Sequence, residues 1–534
     1  MTSLAGTGKL ARFILRRDRW RLLIWIAAVV VSTVGLAATS RDLYPTPESL
    51  QARAQIMDSP IGRAFGGPGI GLDNYTFGAL MANEYVSFLA LTLGLMSIFL
   101  VIRNTRVEEQ TGRSELVQSA AVGRHASAAA ALLVVIGAQI LIGVLIALQL
   151  PGTGLDLSVE GSWLFSAAIV STGVAFAAIA LVAAEVTSHS RTAVAVGVAV
   201  MVLSFTITAI ANIAESLSIA MFSPISWAVE TRSFVENLWW PLLVSLGFFV
   251  LMTSLAFALN TRRDFGEGLV AARRGPAEAD PALGTPLGLA WRLQKGLVFG
   301  WGIGIFLLAY TYGTVLGEIE EFASQNPFIE EALSAVGGGT LSESWASFLA
   351  LLMTGLIAGF AVQSTLRLRS EEVGVRADPV LANPTDRWSW MGSHLVLAAL
   401  GSVVMAILVG VGFGLSAGPA TGDWSWLPTM TGAALSHVPS MFVVAGVAVA
   451  LFGLLPRLTY LAWVMIAIVW VGLFGVIVGL PEWVANLSPF GYGAMVPAAD
   501  VDWAPLLILS AIAIALVVAG FVGFRRRDIE TAGA

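Results

Sequence analysis

Arg106-Val107-Glu108-Glu109-Gln110-Thr111-Gly112-Arg113-Ser114-Glu115 is a short charged stretch between two apolar runs. It recurs downstream as Arg369-Ser370-Glu371-Glu372-Val373-Gly374-Val375-Arg376-Ala377-Asp378. At an offset of 263, Arg106 falls on Arg369, Glu108 and Glu109 on Glu371 and Glu372, Arg113 on Arg376, Glu115 on Asp378, and Arg124 on Arg387. Other pairs keep nearly the same spacing. Ser87-Phe88-Leu89-Ala90-Leu91 repeats as Ser347-Phe348-Leu349-Ala350-Leu351, and Ser223-Pro224 as Ser488-Pro489. Pro241-Leu242-Leu243 repeats as Pro505-Leu506-Leu507, and Arg262-Arg263-Asp264 as Arg526-Arg527-Asp528. A single match would be uninformative. A series in order, at one spacing, marks an internal duplication.

The residues around these stretches define the solvent. Hydrophobic residues make up 57% of the 534 and charged residues only 12%, where a soluble protein carries roughly a quarter charged. A spanning helix needs about 20 mostly apolar residues. Twelve such runs occur, at about 22–39, 85–102, 127–149, 162–184, 193–213 and 240–259, then 297–316, 346–365, 391–415, 433–453, 459–479 and 504–523. The run from Leu22 to Ala38 is longer than the apolar region of about 7–15 residues in a signal peptide, so it reads as a retained span.

Six spans per copy is an even number, so both copies enter the membrane in the same direction. The fold class is therefore an all-α polytopic membrane protein of about twelve transmembrane helices in two parallel six-helix repeats. Inverted repeats, common in ion-coupled carriers, are not expected. Residues 1–265 form the first repeat, 266–290 a cytoplasmic linker rich in Pro and Arg, and 291–534 the second repeat. With the N-terminus cytoplasmic, 25 of the 29 Lys and Arg fall on the inner side; only Arg41, Arg53, Arg63 and Arg232 lie outside. That asymmetry follows the positive-inside rule and places both termini in the cytoplasm.

Several chemistries are excluded. There is no Cys, hence no disulfide, thiolate nucleophile or thiolate metal site. No Gly-rich phosphate loop with a following Lys-Ser/Thr occurs, so this chain is not expected to bind ATP itself. Glu84, Glu185 and His437 fall at expected span ends, and no Asp, Glu, Lys or Arg falls at a midplane. Ion-coupled carriers usually carry ionisable groups there. His125, His189 and His394 fall at cytoplasmic ends and are expected to be solvated.

On a helix, Arg106 and Glu109 stand at i,i+3 and Glu109 and Arg113 at i,i+4; both pairings are favourable, by about 0.2–0.5 kcal/mol each. The second copy offers Arg369, Glu372 and Arg376 at the same spacing. The positive-inside rule accounts for the Arg but not for paired Glu at fixed positions in both copies. A short charged helix at the same inner position of each half is expected.

The pattern Arg-x-Glu-Glu-x-x-Gly-Arg-x-Glu after the second span, six spans per half, and Arg-Arg-Asp after spans 6 and 12 resemble the membrane subunits of ABC-2-type exporters. Within them the chain is most similar to the actinobacterial tetronasin and polyketide-antibiotic exporter permeases. The resemblance implies that the loop after span 2 is a coupling helix seated in an ATPase subunit. It carries that role to Glu108, Glu109, Gly112, Arg113 and Glu115, and to Glu371, Glu372, Arg376 and Asp378. The second copy departs from the pattern, with Val375 where Gly112 stands and Pro379 after Asp378. The implied complex contains two copies of a separate ATPase that binds ATP and Mg, in a bacterial cytoplasmic membrane. Its cargo would be a hydrophobic small molecule such as a polyketide antibiotic or lipophilic drug. Membrane lipid is a partner; nucleic acid is not, and the chain has no cofactor or enzymatic site of its own.

Three further segments carry expectations. Gly8–Arg21 mixes Phe13, Leu15 and Trp20 with six basic residues, as an amphipathic interfacial helix would. The outer segments 214–239 and 480–503 each contain Ser-Pro before a span; the resemblance implies short re-entrant helices, and the alternative is a plain amphipathic loop. The outer segment 40–84 has no evident role. Aromatic residues such as Trp239, Trp240 and Trp503 read mostly as interface belts. Two competing functions stay open. An ion-coupled six-plus-six carrier would need a buried carboxylate, and a lipid-linked transferase would need an outer acidic site, for which Asp42, Asp58 and Asp73 qualify by location alone.

Overall fold

The computed structural model describes residues 3–112, 122–263, 267–270, 278–319, 339–475, 483, 486–493 and 495–529. Among the described residues there is no strand, and twelve helices are long and apolar enough to cross a membrane. They run Thr7–Leu43, Phe77–Gln110, Ala126–Thr153, Val159–Val186, Ser190–Ile213 and Trp240–Arg262, then Pro286–Gly317, Leu341–Val373, Arg387–Thr421, Trp426–Leu454, Pro456–Leu473 and Trp503–Arg526. These are spans 1 to 12. The chain is thus a multi-pass, all-α membrane protein. It divides into two compact units, Met1–Gly275 and Pro276–Ala534, with six spans in each.

In the first unit, spans 2 and 4 are the innermost. Span 4 packs on spans 2, 3, 5 and 6, and span 1 packs on span 3. Its core gathers Leu93, Met96, Ile98, Phe165, Ile169 and Phe176. In the second unit, span 7 packs on span 9, span 8 on spans 9, 10 and 11, and span 10 on span 12. Small residues permit this. A Cβ at Gly453 would lie 1.9 Å from the Gly520 carbonyl oxygen, so spans 10 and 12 meet backbone to backbone. In a bilayer, such close approach replaces the hydrophobic drive that helices lose in lipid.

Two boundaries differ from expectation. The basic stretch Gly8–Arg21 is not a separate interfacial helix. It forms the first turns of one helix, Thr7–Leu43, because nothing between Gly8 and Ala38 breaks the backbone ladder. Its 37 residues are about 55 Å long, more than the roughly 30 Å of hydrocarbon. Span 7 likewise starts at Pro286 rather than near 297: Thr285 caps it by accepting from the Gly288 N–H at 3.1 Å, and Pro286 supplies the favoured first position.

The ends opposite the arginine-rich loops have their own architecture. Segment 40–84 folds into a cap of helices Pro47–Asp58 and Pro60–Phe65 over Leu50, Ala54, Met57, Tyr75, Ala79 and Leu80. Arg53 donates to both oxygens of Glu84, at 2.9 and 2.6 Å, and the Asn83 carboxamide ties the Ile70 backbone N–H and C=O. The other segment at this end, 214–239, re-enters the unit. Helix Pro224–Val229 is buried along its whole length and packs on spans 2, 4, 5 and 6. Thr172, midway along span 4, donates to the Pro224 carbonyl at 3.1 Å. In the second unit Ser440, midway along span 10, donates to the Pro489 carbonyl at 3.0 Å. Parts of 480–503 lie outside the described residues.

Candidate functional site

At the arginine-rich end of each unit, the charged stretch forms a short helix that closes the span. In the first unit this is Arg106–Gln110, set off from the rest of span 2 by a break at Thr105. Arg106 is almost fully buried and donates to Glu109 at 2.6 Å, as the i,i+3 spacing predicts. Its remaining N–H groups donate to the carbonyls of Ser188 and Glu267. Arg113 and Glu115 lie outside the described residues.

Glu109 does not face solvent. Arg263, from the Arg-Arg-Asp motif at the end of span 6, donates to both its oxygens at 2.6 and 2.9 Å. Arg263 also binds Glu185, the last acidic residue of span 4, which accepts two further bonds from Asn260 at 3.1 and 3.2 Å. Two arginines and two carboxylates are thus joined in one buried cluster. Burial pushes the Arg263 guanidinium toward the neutral form, but its bonds to Glu109 and Glu185 outweigh this, and its proton is held more tightly than usual. Glu108 is engaged too: Arg17 of span 1 reaches it at 3.0 Å and the Asn104 side-chain oxygen at 2.6 Å. Asp18, one residue on, is buried against Arg21 and Arg103.

The second unit builds the same arrangement with other packing. Helix Arg367–Val373 carries Glu372, which is 1% exposed, and Arg527 donates to both its oxygens at 2.6 and 2.8 Å. Arg369 approaches Glu372 at 3.4 Å. Among the described residues no carboxylate occupies the place of Glu185; Arg527 instead lies over the rings of Phe452 and Phe524, at 5.0 and 5.1 Å. The i,i+4 pairing of Glu372 with Arg376 does not form. The helix ends before it, and Arg376 swings back to Glu371 at 2.8 Å. Arg367 holds the same Glu371 at 2.6 Å. Asp378 opens the next short helix, Asp378–Leu381.

The turn that ends each helix is left-handed. Gly112 has φ +71 and open space around it; Val375 has φ +57. Glycine takes that conformation freely, whereas a β-branched residue is strained there by about 1–2 kcal/mol. Side chains at the second turn reach solvent: Val373 and Val375 are 60% and 36% accessible. The tips of the turns therefore face outward, while most of the expected docking carboxylates face inward. Arg124 and Arg387, the last aligned pair, also share a task. Arg124 donates to the carbonyls of Asn260 and Arg263, and Arg387 to those of Phe524, Arg525 and Arg527, satisfying the open C-terminal carbonyls of spans 6 and 12.

The other candidates separate. Of the three histidines expected in solvent, only His189 is exposed. His125 is half-buried against Phe257, and His394 is buried, bonded through Nδ1 to Gln294 at 2.9 Å and edge-on to Trp390. The buried carboxylate that a carrier would need exists in Glu185, yet it sits at the span end, neutralised by Arg263. Among the described residues no three acidic or His side chains gather as a metal site, and Asp58 is paired with Arg63 at 2.6 Å. Sequence reading missed Arg263, Arg527 and Glu185 as cluster members. The constant spacing of the Arg-Arg-Asp motif against the charged helix in both repeats was the available signal.

Comparison with known proteins adds a function. The family described as "Multidrug efflux system permease Rv1217c, C-terminal domain" matches residues 283–525. Over 532 residues the chain is 38% identical to the multidrug efflux system permease protein Rv1217c of Mycobacterium tuberculosis (strain ATCC 25618 / H37Rv), covering 98% of this chain and 95% of that protein.

Proposed function

The chain belongs to the family of multidrug efflux system permeases, and from that premise we propose that a separate ATPase docks on its two charged turns and drives export. The chain is the membrane-spanning subunit of a drug exporter. The observation that carries the ATPase reading is the paired construction of Arg106–Gln110 and Arg367–Val373, each locked to the end of a distant span by a bidentate Arg–Glu pair. Such a lock lets a push on the turn move the span. In this reading Glu108, Glu109, Glu371 and Glu372 hold the docking helices in place. The exposed tips, Thr111–Gly112 with Arg113 and Glu115 beyond, and Val373–Arg376 with Asp378, meet the ATPase. Two ATPase copies would bind ATP and Mg, one per turn, on the cytoplasmic side, with both termini there. The two units serve as two copies of one six-span repeat, and the matching order of helix packing supports that. The cargo is lipophilic, and polyketide antibiotics are the class to try first.

The test is co-expression with a genomically adjacent ATPase and purification through a tag on this chain alone. Wild type is expected to bring the ATPase down, with turnover stimulated by a lipophilic antibiotic. Val373→Asp alters an exposed side chain and is expected to lose the ATPase without losing folded permease. If no ATPase copurifies and a proton gradient alone drives uptake into vesicles, the ATP-driven reading is wrong.

A further inference from the structure

One buried polar side chain in the second unit has no role in the docking ends. His437 stands where span 10 breaks between helices Trp426–Ser436 and Val438–Leu454, twelfth of the 29 residues of Trp426–Leu454. This is well inside the apolar length and not at a span end. It is 1% exposed, and among the described residues neither ring nitrogen has a hydrogen-bond partner. An imidazole in such a place carries one donor and one acceptor that the apolar interior leaves unmet.

The first unit shows what the position holds when only packing matters. Thr172 and Ser440 both donate to the carbonyl of the proline in a Ser-Pro pair, Pro224 and Pro489. Counting three residues back from each reaches Ile169 and His437. Ile169 is fully buried among apolar neighbours. The second unit thus places an imidazole where the first, counted from the same bond, has an aliphatic side chain. Its cover is also specific. The ring of Phe490 stacks on His437 with centroids 6.0 Å apart and planes 26° apart, and a Cβ at Gly493 would lie 2.6 Å from His437 Nδ1. The segment Ser488–Gly493 therefore lies directly on the imidazole, tied by the bond from Ser440 to the Pro489 carbonyl and by the burial of Phe490.

We propose that His437 is a substrate-binding residue: when Ser488–Gly493 lifts, its ring nitrogens hydrogen-bond the hydroxyl or carboxyl group of a lipophilic substrate whose flat apolar body takes the stacking place on Phe490. The inference rests on the chain being an exporter of lipophilic compounds, not on the ATPase partner. Intramembrane polar residues that lack a structural partner mark substrate paths. A site built around one hydrogen bond also discriminates against an analogue lacking the group.

Two fluorescent probes with one body test it, 1-pyrenebutanol and 1-butylpyrene, titrated against the full-length protein in lipid nanodiscs. Wild type is expected to prefer the alcohol by about tenfold. His437→Ile should bring the ratio to about one, leave affinity for 1-butylpyrene unchanged and raise the unfolding temperature. His437→Asn, which keeps a donor and an acceptor, should retain part of the preference. Three results overturn the proposal. One is a wild type without preference, and another is a preference that survives His437→Ile. The third is a His437→Ile protein that unfolds earlier and loses both probes equally, which marks the histidine as structural. If wild type binds neither probe, it is the reading of the chain as a carrier of lipophilic compounds that fails, and the proposal with it.

Discussion

At the scale of single residues, the charged ends of the two units are governed by burial of charge. Glu372 is nearly inaccessible, and its two oxygens are both taken by Arg527. Removing one member of such a pair strands the other in a dry site, so Glu372→Gln should cost about 3 kcal/mol of stability, read as a drop in thermal unfolding temperature. Arg527→Lys keeps the charge but cannot bind both oxygens or cover Phe452 and Phe524 equally well; it should recover less than half of that loss. Val375 poses the opposite case. Its left-handed φ serves the turn at a cost that Gly112 avoids in the other unit. Val375→Gly should stabilise the protein by roughly 0.5–1 kcal/mol, the strain relieved less the added freedom of the unfolded chain. An unfolding temperature equal to or below wild type would show that the valine makes compensating contacts.

At the scale of helices, the spans are held by small residues and by polar bonds to re-entrant tips. Spans 10 and 12 meet through Gly453 and Gly520, and a Cβ at Gly520 would approach the Val449 carbonyl to 2.5 Å. Gly520→Leu should separate the two spans, and with them Phe524 and Arg527 from the short charged helix Arg367–Val373. The expected readout is a loss of folded protein at size exclusion, of more than about 3 kcal/mol. Gly247, with nothing within 4 Å of its Cβ position on span 6, gives the control: Gly247→Leu should be tolerated. The charged helices themselves were legible in the sequence, because i,i+3 spacing and a break in hydropathy are local. Their orientation was not. Glu109 and Arg263 are 154 residues apart in the chain, and Glu372 and Arg527 155, so no local pattern could pair them.

At the scale of the whole molecule, each unit buries its own core, around Leu93 and Phe176 in the first and around Met353 and Phe413 in the second. The boundary between the two units falls between Gly275 and Pro276. A chain cut there and co-expressed as 1–275 and 276–534 should yield two fragments that insert and resist protease as the intact chain does. Degradation of either fragment in the other's presence would show that the covalent link is needed for folding.

The sequence by itself determined the class of the protein, its twelve spans, the span ends at which its charge collects and the positions of its charged turns. Those come from the solvent, since hydrocarbon demands apolar runs of fixed length and polar ends, and a linear sequence records both. Tertiary structure alone decided which carboxylates are consumed inside. It turned Glu109 and Glu372 inward, ran the basic N-terminal stretch straight into span 1, and buried His394 and His437. The physical reason is that a charge or ring in an interior must find its partner through space, and that partner is chosen by how helices distant in sequence pack, which hydropathy and spacing do not encode.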